Sequence, residues 1–283
     1  MMRVVTTAAA LVLTGGLVVG CQGDGDQDPL RVADSPSASV TPKADVTSQP
    51  PPPPVVDRTT GPATTRPPTA TPKPTATTRK DVGLTRAQGE SLVSSVALVP
   101  ADWGPTYVKQ ELNYEWAGLE HVVTGADCKQ VPEGTIPGGV AAMTRQVYVP
   151  DGEPSVDNLS KTLAMSSATV YSSTARARTD IDMGVAAARR CPDTDLGVGE
   201  WLKDIEVLDL DVPGVDQVHV ARASWSTAKG GKPFQYVWVT ARQGQMVLTA
   251  AVVDRGDKTF ESAKNQAIDA LALMIARTDV RLG

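Results

Sequence analysis

Histidine is nearly missing from this chain: 283 residues hold only His121 and His219, far apart in sequence. That scarcity speaks against a histidine-rich metal site. The signatures of common catalytic machinery are missing too. There is no Gly-x-Ser-x-Gly elbow, His-Glu-x-x-His helix, Cys-x-x-Cys pair, Gly-x-Gly-x-x-Gly turn or Walker loop. Aromatic residues make up 4% of the chain, and none of the five Trp, five Tyr and two Phe precedes residue 100. The first third therefore lacks the means to build a core. Basic runs are lacking as well: from Leu84 onward, 19 Lys and Arg face 25 Asp and Glu. A mildly acidic domain without a basic patch is a poor fit to nucleic acid or to anionic lipid.

Long apolar runs are also lacking. Val4 to Val19 is free of charge and follows Arg3, but 16 helical residues rise only about 24 Å, short of a bilayer core of roughly 30 Å. A basic start, a short apolar centre and small residues at the end describe a secretory signal peptide, here residues 1–20. The run closes on Val18-Val19-Gly20-Cys21, which resembles the bacterial lipobox. The resemblance implies that Cys21 takes a diacylglycerol on its sulfur and becomes the mature N-terminus. Acyl chains contribute about 0.8 kcal/mol per buried CH₂, so a pair of chains holds a domain at a membrane. Asp24, Asp26 and Asp28 do not make a calcium loop, because Pro29 and Ser35 stand where an EF-hand needs Gly and Glu. No cofactor is expected.

Thirteen of the 22 prolines fall between Pro29 and Pro74, among Thr, Ser, Ala and Val. Such a stretch buries too little apolar surface to offset its ordering entropy, and its prolines favour extended polyproline II. Residues 21–83 are read as a disordered tether. Its Thr-Pro and Ser-Pro pairs suit O-glycosylation and a bare spacer equally well. Residues 84–283 remain as a single extracytoplasmic domain of ordinary size. Three cysteines are an odd number for an exported chain. Giving Cys21 to lipid leaves Cys128 and Cys191, and an oxidising compartment favours a disulfide between them.

Within the domain, "LTRAQGESLVSSV" starts a helix with Thr85 as N-cap and Gln88 three residues on. A second helix spaces Ala177, Ile181, Gly184, Ala188 and Cys191 along one apolar face, and a third does so with Phe260, Ala263, Ala267, Leu271 and Met274. Strands are expected over 140–149, 162–172 and 206–212, the last with Leu208 and Leu210 inward and Asp209 toward solvent. A meander follows: "QVHVARASW", "FQYVWVTAR" and "MVLTAAVVD". Centring the strand pairs on their glycine turns sorts two faces. Val220, Val237, Val239, Ala241, Met246, Leu248, Ala250 and Val252 form an aliphatic one. Trp225, Phe234, Tyr236 and Trp238 share the other with His219, Thr249 and Ala251. The last helix should cover the aliphatic face, leaving the aromatic face to the first helix and the helix ending at Cys191.

This order of elements resembles the extracellular sensor domain of actinobacterial PknH-type receptor kinases, and the stand-alone lipoproteins that share it. The carriers are "LTRAQGESLV" with "LVPADWG", Cys128, "TVYSSTARA" before a helix ending "ARRC", and the closing meander and helix. The resemblance implies an α+β fold, an antiparallel sheet flanked by helices, with a cleft for a small ligand or partner. This chain has no kinase domain, and one internal disulfide where those relatives are expected to have two.

Carboxylate pairs carry no acid–base spacing. Asp180 and Asp182 follow Arg176 and Arg178 by four residues on a helix, a pairing distance. His121 suits a loop or strand edge, and His219 a hydrogen-bonded structural place rather than a catalytic one. The aromatic stripe has two readings: core, or a wall for a small-molecule, glycan or peptide ligand. The function expected is a non-catalytic, sensor-like binding lipoprotein at the extracytoplasmic side of the cell membrane. Its ligand groove would lie at Trp225, Tyr236 and Trp238, floored by Ala221, Ala223 and Ala251, with Arg222 on the far face. An envelope hydrolase and a structural envelope protein are the alternatives.

Overall fold

The computed structural model describes residues 80–110, 114–150, 162–197, 199–210, 212, 214–226, 233–254 and 258–282. The expected signal peptide, Cys21 and all but the last four residues of the expected tether lie outside the described residues. So does the Gly230-Gly231 turn.

The described chain opens with α1 (Arg86–Val96) and a short turn of helix, α2 (Pro100–Trp103). Thr85 and Gln88 close the expected capping box: Gln88 N–H donates to Thr85 Oγ1 at 3.3 Å, and Thr85 N–H to Gln88 Oε1 at 2.9 Å. Strands β1 (Val108–Lys109), β2 (Glu115–Ala117), β3 (Glu120–Thr124), β4 (Gln130–Thr135), β5 (Gly139–Val149) and β6 (Thr162–Tyr171) follow. Helix α3 (Thr174–Arg190) separates them from β7 (Thr194–Gly197), β8 (Glu200–Leu210), β9 (Gln217–Ser226), β10 (Phe234–Gln243) and β11 (Met246–Asp254). Helix α4 (Phe260–Leu282) closes the domain. The main sheet runs β1-β5-β6-β11-β10-β9-β8-β7, with β2 also on β5 and every pair antiparallel. Strands β3 and β4 form a separate hairpin. The protein is α+β, an antiparallel sheet flanked by helices.

The meander has the register that its turns imply: Val239 sits opposite both Val220 and Ala250. The aliphatic residues of that face are buried against Ala263, Ala267, Leu271 and Met274 of α4. Arg222 lies on this side, its guanidinium 4.9 Å from the Phe260 ring centroid.

The first helix departs from expectation. Leu92, Val93 and Val96 join the same core as α4, so α1 lies on the aliphatic face and not over the aromatic one. Three contacts fix it there. The buried Arg145 guanidinium donates to Ser94 O at 3.0 Å and Ala97 O at 2.6 Å, capping the helix's free carbonyls. Leu98 N–H donates to Ser166 Oγ at 2.9 Å. Gly89 also lets α1 settle closely on β5 and β6. A Cβ there would come within 3.0 Å of Val140 Cγ1 and 3.2 Å of Val170 Cγ1. The periodicity of α1 shows that it owns an apolar face, but carries nothing about which side of the sheet receives it. The aromatic face is left to α3, and one helix does not close it.

Candidate functional site: a cleft under the third helix

Strand parity places Tyr236, Trp238 and Thr240 of β10 beside His219 and Ala221 of β9 on the face that α3 crosses. Helix α3 presents Asp180, Ile181, Gly184, Val185, Ala187 and Ala188 to them. Between helix and sheet lies a cleft of about 80 Å³. One water takes about 10–15 Å³ of such space, so a small organic molecule fits. Gly184, Ala188 and Ala221 make the space, because none of them has a long side chain to fill it.

Strand β8 contributes by an irregularity. Its register against β9 shifts between Lys203 and Glu206, where Asp204 takes a left-handed φ of 54°. The bulge turns Leu202, Ile205 and Val207 alike toward the cleft. It also reverses the expected facing of the strand's end. Leu208 and Leu210 are 37% and 38% exposed, and Asp209 lies on the α3 side, opposite His219.

The three aromatic residues expected to line a groove part company here. Tyr236 and Trp238 stack with centroids 4.9 Å apart, and both line the cleft. Trp225 is only 4% exposed and sits deeper, tilted against Phe234 at 5.6 Å within an apolar cluster. Ala223 and Ala251 belong to that cluster too, so of the three expected floor residues only Ala221 lines the cleft. Leu202 of β8 is the strand partner of Trp225.

Tyr236 is the chemically distinctive member of the wall. It is 2% exposed, and its hydroxyl has no hydrogen-bond partner among the described residues. Burial pushes its ionisation well above the ordinary phenol range, and the nearby Glu200 carboxylate pushes it further. The hydroxyl is a retained donor in a dry wall. Asp180, 4% exposed, also lines the cleft, with the buried Tyr171 hydroxyl as a hydrogen-bonding neighbour. Its helical companion Asp182 pairs outward with Arg178 at 3.6 Å.

His219 lies at the edge of the cleft inside a closed network. Its Nδ1 is 2.7 Å from Asp209 Oδ1, and its Nε2 is 3.2 Å from the Gln217 amide nitrogen. That amide also donates to Asp182 Oδ1 at 2.7 Å, and Arg189 donates to Asp209 Oδ2 at 2.7 Å. The donors and acceptors match when Nδ1 carries the proton and Nε2 accepts from Gln217. Hydrogen bonds from His219 and Arg189 in turn hold the Asp209 carboxyl below its usual range. The imidazole thus braces α3 against β8 and β9, and its one lone pair is already occupied. His121 is buried at 1% exposure on β3, and burial lowers its proton affinity.

The hairpin closes one end of the cleft with Thr124 and Gln130. Sequence reasoning passed over it, although "HVVT" and "KQV" around the turn "GADC" carry a hairpin signal. The Cys128–Cys191 disulfide, with Cα atoms 5.4 Å apart, ties this turn to the end of α3, as the cysteine count implied. Beside it Asp195 N–H donates to Cys128 O at 2.9 Å, and Arg190 to Thr124 O at 2.9 Å. Among the described residues no group of three or more His, Cys, Asp or Glu gathers to hold a metal.

Two solved structures are similar to this chain. The extracellular domain of PknH from Mycobacterium tuberculosis matches at 10% identity and a TM-score of 0.44, covering 71% of this chain and 99% of that one. An uncharacterised Rv0999 ortholog from Mycobacterium smegmatis matches at 12% identity and a TM-score of 0.34, covering 69% and 98%. The first is the type of domain that the sequence motifs resemble. No protein-family model and no curated protein sequence matches the chain.

Proposed function

We propose that this is a non-catalytic, extracytoplasmic binding domain, held at the cell membrane through an acylated Cys21, that takes a small ligand into the cleft beneath α3. The observation carrying the reading is the cleft itself. Stacked aromatic rings form one wall, and small residues clear the space. Apolar walls with a few placed polar groups are what a ligand site needs for affinity and orientation. The engagement of both His219 nitrogens favours binding over proton-transfer chemistry.

Ethylbenzene is a suitable first probe, being apolar and one ring in size. In a ¹⁵N-resolved titration it should shift the amides of Ile181, Ala188, Ala221 and Trp238 together and saturably. Ala188→Trp, which fills the space from the helix side, should abolish those shifts while the sheet amides keep their positions. Scattered, unsaturable shifts, or equal binding by the filled variant, would defeat the reading.

A further inference from the structure

We propose that the free half of the β8 edge is a pairing surface for a second copy of this chain, β8 against β8 across a two-fold axis at Leu208. The inference stands apart from the cleft reading, because it concerns the rim of the sheet.

Backbone direction comes first. The two-residue turn at Gly244-Gln245 makes Gln243 and Met246 a hydrogen-bonded pair. Alternation then carries across the sheet. Gln243, Ala241 and Val239 bond to β11, while Arg242, Thr240 and Trp238 bond to Gln217, His219 and Ala221 of β9. That leaves Val218, Val220 and Arg222 of β9 to bond Leu210, Leu208 and Glu206 of β8. The N–H and C=O groups of Val207 and Asp209 therefore point off the sheet. On that outer side β7 pairs only as far as Leu202, and Ile205 N–H donates to Pro192 O at 2.9 Å. Beyond Ile205 no backbone bond from a described residue reaches the outer side of the strand.

Open edges are commonly guarded by Lys, Pro or an unmatched charge. Residues 206–210 contain neither Lys nor Pro, and both of their charges are met within the same copy. Arg222 donates to Glu206 at 2.7 Å, and Arg189 and His219 each bond Asp209 at 2.7 Å. The strand shows apolar side chains instead. Leu208, Leu210 and Val212 are three of the eight large apolar side chains exposed among the described residues. Leu208 and Leu210 lie beside Val220 and Val218 on the aliphatic face, so they carry the core's surface out to the rim.

This edge is complementary to itself in one register. Outward-pointing residues must face outward-pointing residues, so Val207 meets Asp209 of the second copy and Leu208 meets Leu208 on the axis. Each Val207–Asp209 pair exchanges N–H···O=C bonds, and Glu206 comes opposite Leu210, so no carboxylate opposes another. Sliding the axis toward Leu210 sets Asp209 against an acidic residue of the second copy. Sliding it toward Glu206 calls on the Ile205 N–H, which Pro192 already holds.

Cysteine placement in the exported full-length chain reads this register. Across the axis the two Leu208 Cα atoms come to about 4.5 Å, within disulfide reach, while the two Leu210 Cα atoms lie roughly 14 Å apart. Cys128 and Cys191 bond each other and do not compete. Leu208→Cys should give a covalent dimer on a non-reducing gel, at least tenfold more abundant than in Leu210→Cys, in wild type, or in Val131→Cys, an exposed position on the hairpin. Leu208→Lys sets like charges together on the axis. In sedimentation equilibrium of the full-length chain in detergent it should raise the dimer dissociation constant at least tenfold, with circular dichroism and Tm as in wild type. Equal crosslinking at all three positions would mean chance collision, and a maximum at Leu210→Cys would mean another register. A monomeric wild-type chain, or unchanged association in Leu208→Lys, would mean that the edge takes a foreign strand or none. Each of these results overturns the proposal.

Discussion

A tyrosine hydroxyl buried without a partner among the described residues costs stability. The Tyr236 O–H has lost water and gained no partner among the described residues. Tyr236→Phe keeps the ring, its stack on Trp238 and its place in the strand, and removes only the oxygen. The variant should therefore melt at the same temperature or a few degrees higher, a gain of up to about 1 kcal/mol. A melting temperature lowered by several degrees would show that the hydroxyl has a structural partner. Alkali gives a second measure. Tyr171 and Tyr236 both ionise well above the unfolded phenol value, chiefly because they are buried. Their folded values being raised, the stability they contribute is complete below the unfolded value near pH 10 and is lost as pH rises beyond it. Tyrosinate absorbance at 295 nm should include these two rings only as the protein unfolds.

At the scale of elements, what the sequence shows depends on whether parity alone decides it. The meander and α4 were legible because period-2 alternation and period-3.6 spacing place residues such as Val239 and Met274 without knowledge of any neighbour. The side chosen by α1 was not legible, since it depends on Arg145, which sits on β5 and reaches the helix's carbonyls across the fold. The bulge at Asp204 was likewise hidden. A single left-handed residue there moves Ile205 and Val207 into the cleft and Leu208 out of the core, and nothing in "KDIEVLDL" announces it. The hairpin matters for the same reason. Its turn is tied by the Cys128–Cys191 disulfide across a separation of 63 residues, worth about 4 kcal/mol in the chain-entropy model. A Cys128→Ser, Cys191→Ser double variant should lose less than that if the hairpin detaches alone. Hydrogen exchange should then speed up over 120–135 while β10 and β11 keep their protection. With Thr124 and Gln130 no longer held at its end, the cleft should also admit acrylamide to Trp238 more readily. Uniform loss of protection across the sheet would mean instead that the bridge supports the whole domain.

At the scale of the molecule, the question is how the cleft is joined to the tether. Asp81 and Val82, which composition assigns to the tether, are already bonded to the domain. The Asp81 carboxylate accepts from Thr174 N–H at 2.8 Å and Thr174 Oγ1 at 2.6 Å, at the start of α3. Val82 exchanges two hydrogen bonds with the Gln245 side chain, at 2.6 and 3.0 Å. Helix α3 is thus held by the incoming chain at one end and by the disulfide at the other. Bonds from Thr174, its hydroxyl first, hold the Asp81 carboxyl below the usual range. A depressed carboxyl stabilises above its unfolded value near 3.9, and that contribution is lost as pH falls through the folded value. Asp81→Asn should therefore speed hydrogen exchange in the first turn of α3 at neutral pH, and the difference from wild type should vanish in strong acid. Equal exchange at neutral pH would mean that this end of α3 does not depend on the incoming chain. On the proposed reading, an acylated Cys21 at the other end of this segment sets where the domain works. A thiol is required to take the diacylglycerol, and a hydroxyl is no substitute, so Cys21→Ser should accumulate as an unprocessed precursor without lipid. Mass spectrometry of the native N-terminal peptide should find Cys21 acylated and preceded by nothing. A mature chain beginning at a free, unmodified Cys21 would remove the membrane from this account and leave a secreted binding protein.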